Sequence, residues 1–250
     1  MLEFTAEEEA RVKEKFNKEQ SGAMECPAMS LADLKEEERH PVANERHMIT
    51  PPEGGLLHLV CCQTTKGPLN IVVHERWAPI GAKRFLHMVT SGYFQAGVPL
   101  FRCVKDFICQ FGLNSNSKLT EEFVGTLQDD ASWLPKGKEH RKNEKGVRRF
   151  ARGYLAYAGA GPHSRDNQFI VSLVAVSQLA GGSPWEVPWG ELVGEHSFRT
   201  LEKLYTGYGE DGPDQHLLFK FGFTDKMKSD FPKMDLVTGC SIVDQQIQVI

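Results

Sequence analysis

The sequence contains no uninterrupted run of about 18 apolar residues, the length a helix needs to cross a bilayer, which excludes a helical membrane span. Six cysteines in 250 residues are too few for a disulfide scaffold. Cys61 and Cys62 are adjacent, and Cys103 and Cys109 lack a C-x2-C partner pair, so no structural zinc site is expected. Most of these cysteines read as small core hydrophobes. Asn-x-Ser/Thr acceptors are absent as well, which with the sparse cysteines points to a reducing compartment. Positive charge is not in excess: 29 Lys/Arg stand against 33 Asp/Glu, a net charge of −4. No global field exists to hold nucleic-acid phosphates. The opening MLEFTAEEEARVKEKF lacks both the basic and the apolar region of a secretory signal, and its acidity argues against a transit peptide. A cytoplasmic protein is therefore expected. A Walker lysine loop, a Gly-x-Gly-x-x-Gly turn and a Gly-x-Ser-x-Gly elbow are all missing, so nucleotide-binding and serine-hydrolase readings lose support. Neither a cofactor nor a metal is expected.

What the chain does contain is ordinary globular composition, 40% hydrophobic and 25% charged, enough for one core. Residues 1 to 47 carry 12 Asp/Glu against 7 Lys/Arg, a local charge of −5, and lack β-branched runs. This predicts an acidic helical extension over residues 1–54. One helix is expected from about Ala6 to Glu19, opened by the capping box Thr5 and Glu8, and a second from about Leu31 to Arg39. The domain proper is expected over residues 55–250. There Leu56–Cys62 and Leu69–His74 flank a Gly-Pro turn and read as a β-hairpin. Ala78–Ser91 follows as an amphipathic helix that presents Ile80, Phe85, Met88 and Val89, stopped by Gly92. Further strands are predicted at 100–104, 107–111, 154–158, 168–173, 189–193 and 236–243, with a second packed helix at Phe198–Tyr205. Many short strands with two core helices make the fold mainly β, a barrel or sandwich. The run Lys136–Arg149 holds seven basic and two acidic residues without an apolar period and reads as a solvated loop. His163-Ser164-Arg165-Asp166 contains triad residue types, but sequence neighbours point apart, so a polar turn is the better reading.

One stretch is more specific. Residues 67–112, GPLNIVVHERWAPIGAKRFLHMVTSGYFQAGVPLFRCVKDFICQFG, end in a Phe-Arg strand and an F-x-x-Q-x-G signature at Phe107, Gln110 and Gly112. A second block runs from Gly153 to Pro162 (GYLAYAGAGP) and on to Gln168-Phe169-Ile170. A third combines Pro188–Val193 (PWGELV), LEKLYTGYGE at 201–210 and Phe231-Pro232-Lys233-Met234-Asp235. In this order the blocks resemble the cyclophilin family of peptidyl-prolyl cis-trans isomerases, over about residues 56 to 246. The resemblance implies a closed eight-stranded antiparallel β-barrel capped by two α-helices.

It also implies a site. Arg102, Phe107 and Gln110 match the family's catalytic set. Ile108, Tyr157, Ala158, Gly159, Gln168, Ile170 and Leu179 match its substrate groove, with Phe107, Ile170 and Leu179 forming an apolar proline slot and Tyr157 on its wall. The sequence departs from the pattern in having Ile170 for the usual Phe, Gly159 for an Asn, Gln178 for an aromatic, and no His near Trp185-Glu186. Two functions are implied. One is isomerisation of X-Pro bonds in peptides or unfolded proteins. The other is a weak or silent proline-peptide-binding module within a larger assembly, with the N-terminal extension or the 136–149 loop contacting a protein partner. Neither involves membrane or nucleic acid.

Overall fold

The computed structural model describes residues 26–34, 51–134, 150–176, 179 and 184–248. The predicted helix at 6–19 and the basic run at 136–149 lie outside them. The predicted hairpin is present as β1 (Gly55–Thr64) and β2 (Gly67–His74). Its register closes at Thr64 opposite Gly67, leaving the two-residue turn Thr65-Lys66. Thr64 Oγ1 donates to the Gly67 carbonyl at 2.6 Å and accepts from Lys66 N–H at 3.1 Å, so the side chain fixes the turn that joins the strands. Helix α1 (Pro79–Thr90) begins with proline in its first turn, where no backbone donor is needed, and buries Phe85, Leu86, Met88 and Val89. Ile80, expected on that face, is instead exposed.

The remaining strands are β3 (Val98–Pro99), β4 (Arg102–Cys103), β5 (Ile108–Phe111), β6 (Tyr154–Tyr157), β7 (Phe169–Ser172), β8 (Gly190–Val193) and β9 (Leu236–Gln248). They form one antiparallel sheet in the order β3-β9-β1-β2-β8-β6-β7-β5-β4. Among the described residues nine strands stand where eight were expected. The extra one arises because the predicted strand from 100 to 104 is the second part of a longer extended segment. Its first part, β3, pairs with β9 and its last part, β4, with β5. The two edges of the sheet are thus consecutive in the chain, joined by Leu100 and Phe101. Leu100 N–H continues the β9 pairing to the Asp235 carbonyl at 2.9 Å.

Strand alternation assigns the faces. Val60, Ile71, Cys109, Leu155, Phe169 and Leu192 point inward and pack with Phe85 and Met88 of α1 and with Leu201 of helix α3 (Glu195–Lys203). Three further short α-helices are present among the described residues: α2 (Ser117–Glu122), α4 (Gln215–Phe221) and α5 (Asp225–Asp230). None was predicted, yet each has a sequence signal at its start. Asn116, Asp214 and Thr224 each accept a backbone N–H of the first turn. Helix α3 starts three residues before its predicted position, with Glu195 in its first turn. Gly112 of the F-x-x-Q-x-G signature sits at φ +122, and a β-carbon there would meet the Asn167 carbonyl oxygen at 2.1 Å. Only glycine allows β5 to leave the sheet so close to the approach of β7.

The outward face of β1, β2 and β8 presents Leu57, Leu59, Val72 and Val193, which pack against Leu31 and Leu34. Leu31 N–H donates to Asp244 Oδ2 at 2.7 Å. Part of the region read as a polar appendage is therefore an apolar strap on the sheet. Residues 31–33 form a turn and Leu34 is not helical, while residues 35–39 of the predicted second helix lie outside the described residues. The cysteines of the sheet are buried, as expected. Cys62 lies directly opposite Cys240 and Cys103 directly opposite Cys109 in antiparallel register, so each pair shares one face of the sheet. Linear spacing does not reveal that register.

Candidate active site

The outward face of β4, β5, β6 and β7 carries the predicted polar groups in neighbouring register positions. Arg102 on β4 is opposite Gln110 on β5, and Gln110 is opposite Ile170 on β7. Arg102 Nη1 donates to Gln110 Oε1 at 3.3 Å, and Gln110 Nε2 donates to Gln168 Oε1 at 3.0 Å. The three side chains form a line across the sheet. Gln168 is placed by the turn before β7, where Asp166 Oδ1 accepts the N–H groups of Asn167 at 2.6 Å and Gln168 at 3.0 Å. Burial raises the Asp166 carboxyl above its usual range, although those N–H groups favour the anion.

Beside this line lies an apolar cluster. Ile108, Ala156, Ile170 and Leu179 are packed together with the partly exposed Phe107 and Ala158. Ile170 is 4% and Leu179 8% exposed, so the floor is almost closed and Phe107 and Ala158 carry its accessible apolar surface. Ala158 N–H donates to the Gln168 carbonyl at 3.0 Å, which ties the groove's backbone to β7. At Gly159 a β-carbon would meet the Trp185 side chain at 2.7 Å. Glycine here, in place of the expected Asn, is matched to an indole lying across it. Gln178 lies outside the described residues.

Tyr157 is not on the wall of this slot. It is opposite Phe169, packs on Phe169 and Trp189 in the interior, and donates its hydroxyl to the Gly81 carbonyl at 2.8 Å. Period-two alternation places it on the opposite face from Ala156 and Ala158, and desolvation pushes its phenol far up. The polar turn expected at 163–166 is present around Pro162–Ser164, but Arg165 at its end turns into the interior. Arg165 is fully buried, donates Nη1 to Asp130 Oδ2 at 2.8 Å and Nη2 to the Gln128 carbonyl, and lies over the Tyr157 ring. Asp130 in turn accepts Ile80 and Gly81 N–H at 2.8 and 2.9 Å. This pair fastens the 127–130 loop to the start of α1 and has no access to the groove.

One member of the site was missed. Glu210, in the segment between α3 and α4, accepts Arg102 Nε at 2.5 Å and Nη2 at 2.6 Å. Arg102 holds the Glu210 carboxyl below the usual carboxylate range. Sequence offered only the tyrosine- and glycine-rich LYTGYGE stretch around it, with no indication that it reaches a strand 108 residues earlier.

The described strands form one antiparallel sheet whose two edge strands are consecutive in the chain, with α1 and α3 packed on its interior, a barrel-like architecture. The family described as "Cyclophilin type peptidyl-prolyl cis-trans isomerase/CLD" matches residues 59–218. The chain belongs to the cyclophilin family, as a divergent member. It is 28% identical over 152 residues to peptidyl-prolyl cis-trans isomerase-like 3 of Neurospora crassa, covering 58% of this chain and 81% of that one. Over 162 residues it is 28% identical to the spliceosome-associated protein CWC27 homolog of Xenopus laevis, covering 64% of this chain and 30% of that one. A solved cyclophilin type peptidyl-prolyl cis-trans isomerase of Cryptosporidium parvum shares the fold at a TM-score of 0.50 and 20% identity, covering 75% of this chain and 98% of that one.

Proposed function

We propose that this protein is a peptidyl-prolyl cis-trans isomerase that twists X-Pro bonds of peptides or unfolded chains over the Arg102–Gln110–Gln168 line. The observation that carries the reading is Arg102 held over Gln110 at the edge of the Phe107-Ile170-Leu179 cluster. Isomerisation forms and breaks no covalent bond, and its barrier of about 18–20 kcal/mol is the loss of C–N resonance. In the twisted state the prolyl nitrogen regains a lone pair. A cationic donor aimed at it therefore binds the transition state better than the planar amide. Arg102 supplies that donor and, being always charged, needs no proton transfer. One charge-assisted hydrogen bond contributes roughly 1.5–3 kcal/mol, about one to two decades of rate. Gln110 and Gln168 hold the flanking peptide groups, while Phe107 and Ala158 receive the pyrrolidine ring.

A second reading, a proline-peptide docking module, is favoured by the nearly closed floor at Ile170. The CWC27 relative is named as spliceosome-associated, which supports a protein partner for such a module, contacted through the N-terminal extension or the 136–149 run.

A protease-coupled assay on an X-Pro peptide separates the two, because uncatalysed isomerisation takes about 10–100 s. Arg102→Ala is expected to lower kcat/KM at least about tenfold with peptide affinity within a few-fold, since the bond is made mainly in the twisted state. Arg102→Lys should recover little, lacking the planar fork. Equal turnover in wild type and Arg102→Ala defeats the mechanism. No turnover with measurable peptide binding transfers support to the docking module.

A further inference from the structure

Arg102 has five N–H donors, and the structure shows how they are shared. Nε and one N–H of Nη2 go to Glu210, and one N–H of Nη1 goes to Gln110. Among the described residues, one N–H on each terminal nitrogen has no partner and is left for a substrate. The carboxylate engages the guanidinium along its Nε/Nη2 side, so it fixes the plane of the fork without taking every donor.

Glu210 is itself held in place. Gly212, two residues on, lies so close to Phe101 that a β-carbon there would meet the Phe101 carbonyl oxygen at 2.2 Å. Phe101 immediately precedes Arg102, so the segment bearing the carboxylate is docked on the strand bearing the guanidinium. Within that segment Gly209 N–H bonds the Thr206 carbonyl at 3.2 Å and Asp211 N–H the Tyr208 carbonyl at 2.8 Å. Tyr208 packs on Tyr205 and Phe231, and its hydroxyl accepts Lys233 N–H at 3.0 Å. The side chain of Arg102 is 24% exposed, and without a partner this long chain would sample many rotamers.

We propose that Glu210 is a positioning residue for the isomerase reaction, holding the Arg102 guanidinium in the plane from which its two remaining N–H groups meet the twisted amide. This rests on the isomerase reading above, and it adds a residue from outside the groove strands to the working site.

The experiment compares wild type with Glu210→Gln, Glu210→Ala and Glu202→Gln, all as the full chain. The last removes an exposed ion pair to Arg152 away from the groove and serves as control. With an X-Pro peptide, both Glu210 variants should lose about three- to fivefold in kcat with KM within about twofold, the size an exposed ion pair supports. The Arg102 Nε–H resonance, assigned by its loss in Arg102→Ala, should exchange slowly with solvent in wild type and in Glu202→Gln, and rapidly in both Glu210 variants. Unchanged kcat overturns the proposal. So does a rise in kcat/KM, which would make the carboxylate a competitor of substrate. If wild type lacks turnover, the resonance still decides: protection lost only in the Glu210 variants supports positioning while the isomerase reading fails, and an unprotected wild-type Nε–H overturns positioning.

Discussion

At the scale of single residues, the Arg102–Glu210 pair has a pH signature of definite sign. The Glu210 carboxyl is held below its ordinary value by Arg102 hydrogen bonds, so the folded state binds its proton less readily than the unfolded chain does. Its favourable contribution is complete above the unfolded pKa, ordinarily about 4.3, and is lost as pH falls through the lower folded value. A carbon-detected titration of Glu210 should give a midpoint below the ordinary value in wild type and near it in Arg102→Ala. An unshifted wild-type midpoint would show that the pair does not persist in solution. Residue placement was legible in the sequence where motif order and strand parity agreed: Arg102, Gln110 and Gln168 lie side by side on one face of the sheet. Where parity was not counted, the reading failed. Tyr157 cannot share a face with Ala158, its neighbour on an extended strand. Glu210 was illegible for a different reason, because its partner is set by how a distant loop docks.

At the scale of elements, hydrophobic periodicity located the β1–β2 hairpin, α1 and most strands, because those segments face one interior cluster. It overlooked α2, α4 and α5, which are too short for a periodic stripe and are announced by their capping residues. It also took the segment around Leu31 for a polar appendage. Charge dominates that region, but two leucines three residues apart suffice to cover a patch of sheet. Leu31 is fully buried against Leu57, Leu59, Val72 and Val193. Leu31→Ala should therefore destabilise the protein by about 2–4 kcal/mol, the range for large-to-small core changes. Leu34→Ala, at the same patch, should follow it. Denaturant melts check this, and a loss under about 0.5 kcal/mol would show the strap to be detachable. Deletion through residue 34 uncovers this patch.

At the scale of the whole molecule, the sheet's first and last strands are one segment, Val98–Cys103, and its interior is one cluster that includes both capping helices. Sequence gave the architecture class through the density of short strands. It could not show that a single extended stretch pairs first with β9 and then with β5, because that split depends on sheet curvature. A shared interior has a thermodynamic consequence: strands and caps should lose structure together, as in a two-state domain. Phe85 on α1 tests this, since it stacks on Trp189 at 4.3 Å, meets Phe169 edge-on at 5.5 Å and is fully buried. Phe85→Ala should cost about 3–5 kcal/mol. For a chain of this size, that corresponds to a fall in Tm of roughly 6–20 °C at about 2–4 °C per kcal/mol. The far-ultraviolet signal and the tryptophan fluorescence should shift by the same amount, because the ring bridges a cap and the strands opposite it. If the two signals separate, with the helix lost before the strands, α1 melts as an independent unit and the single-core description fails.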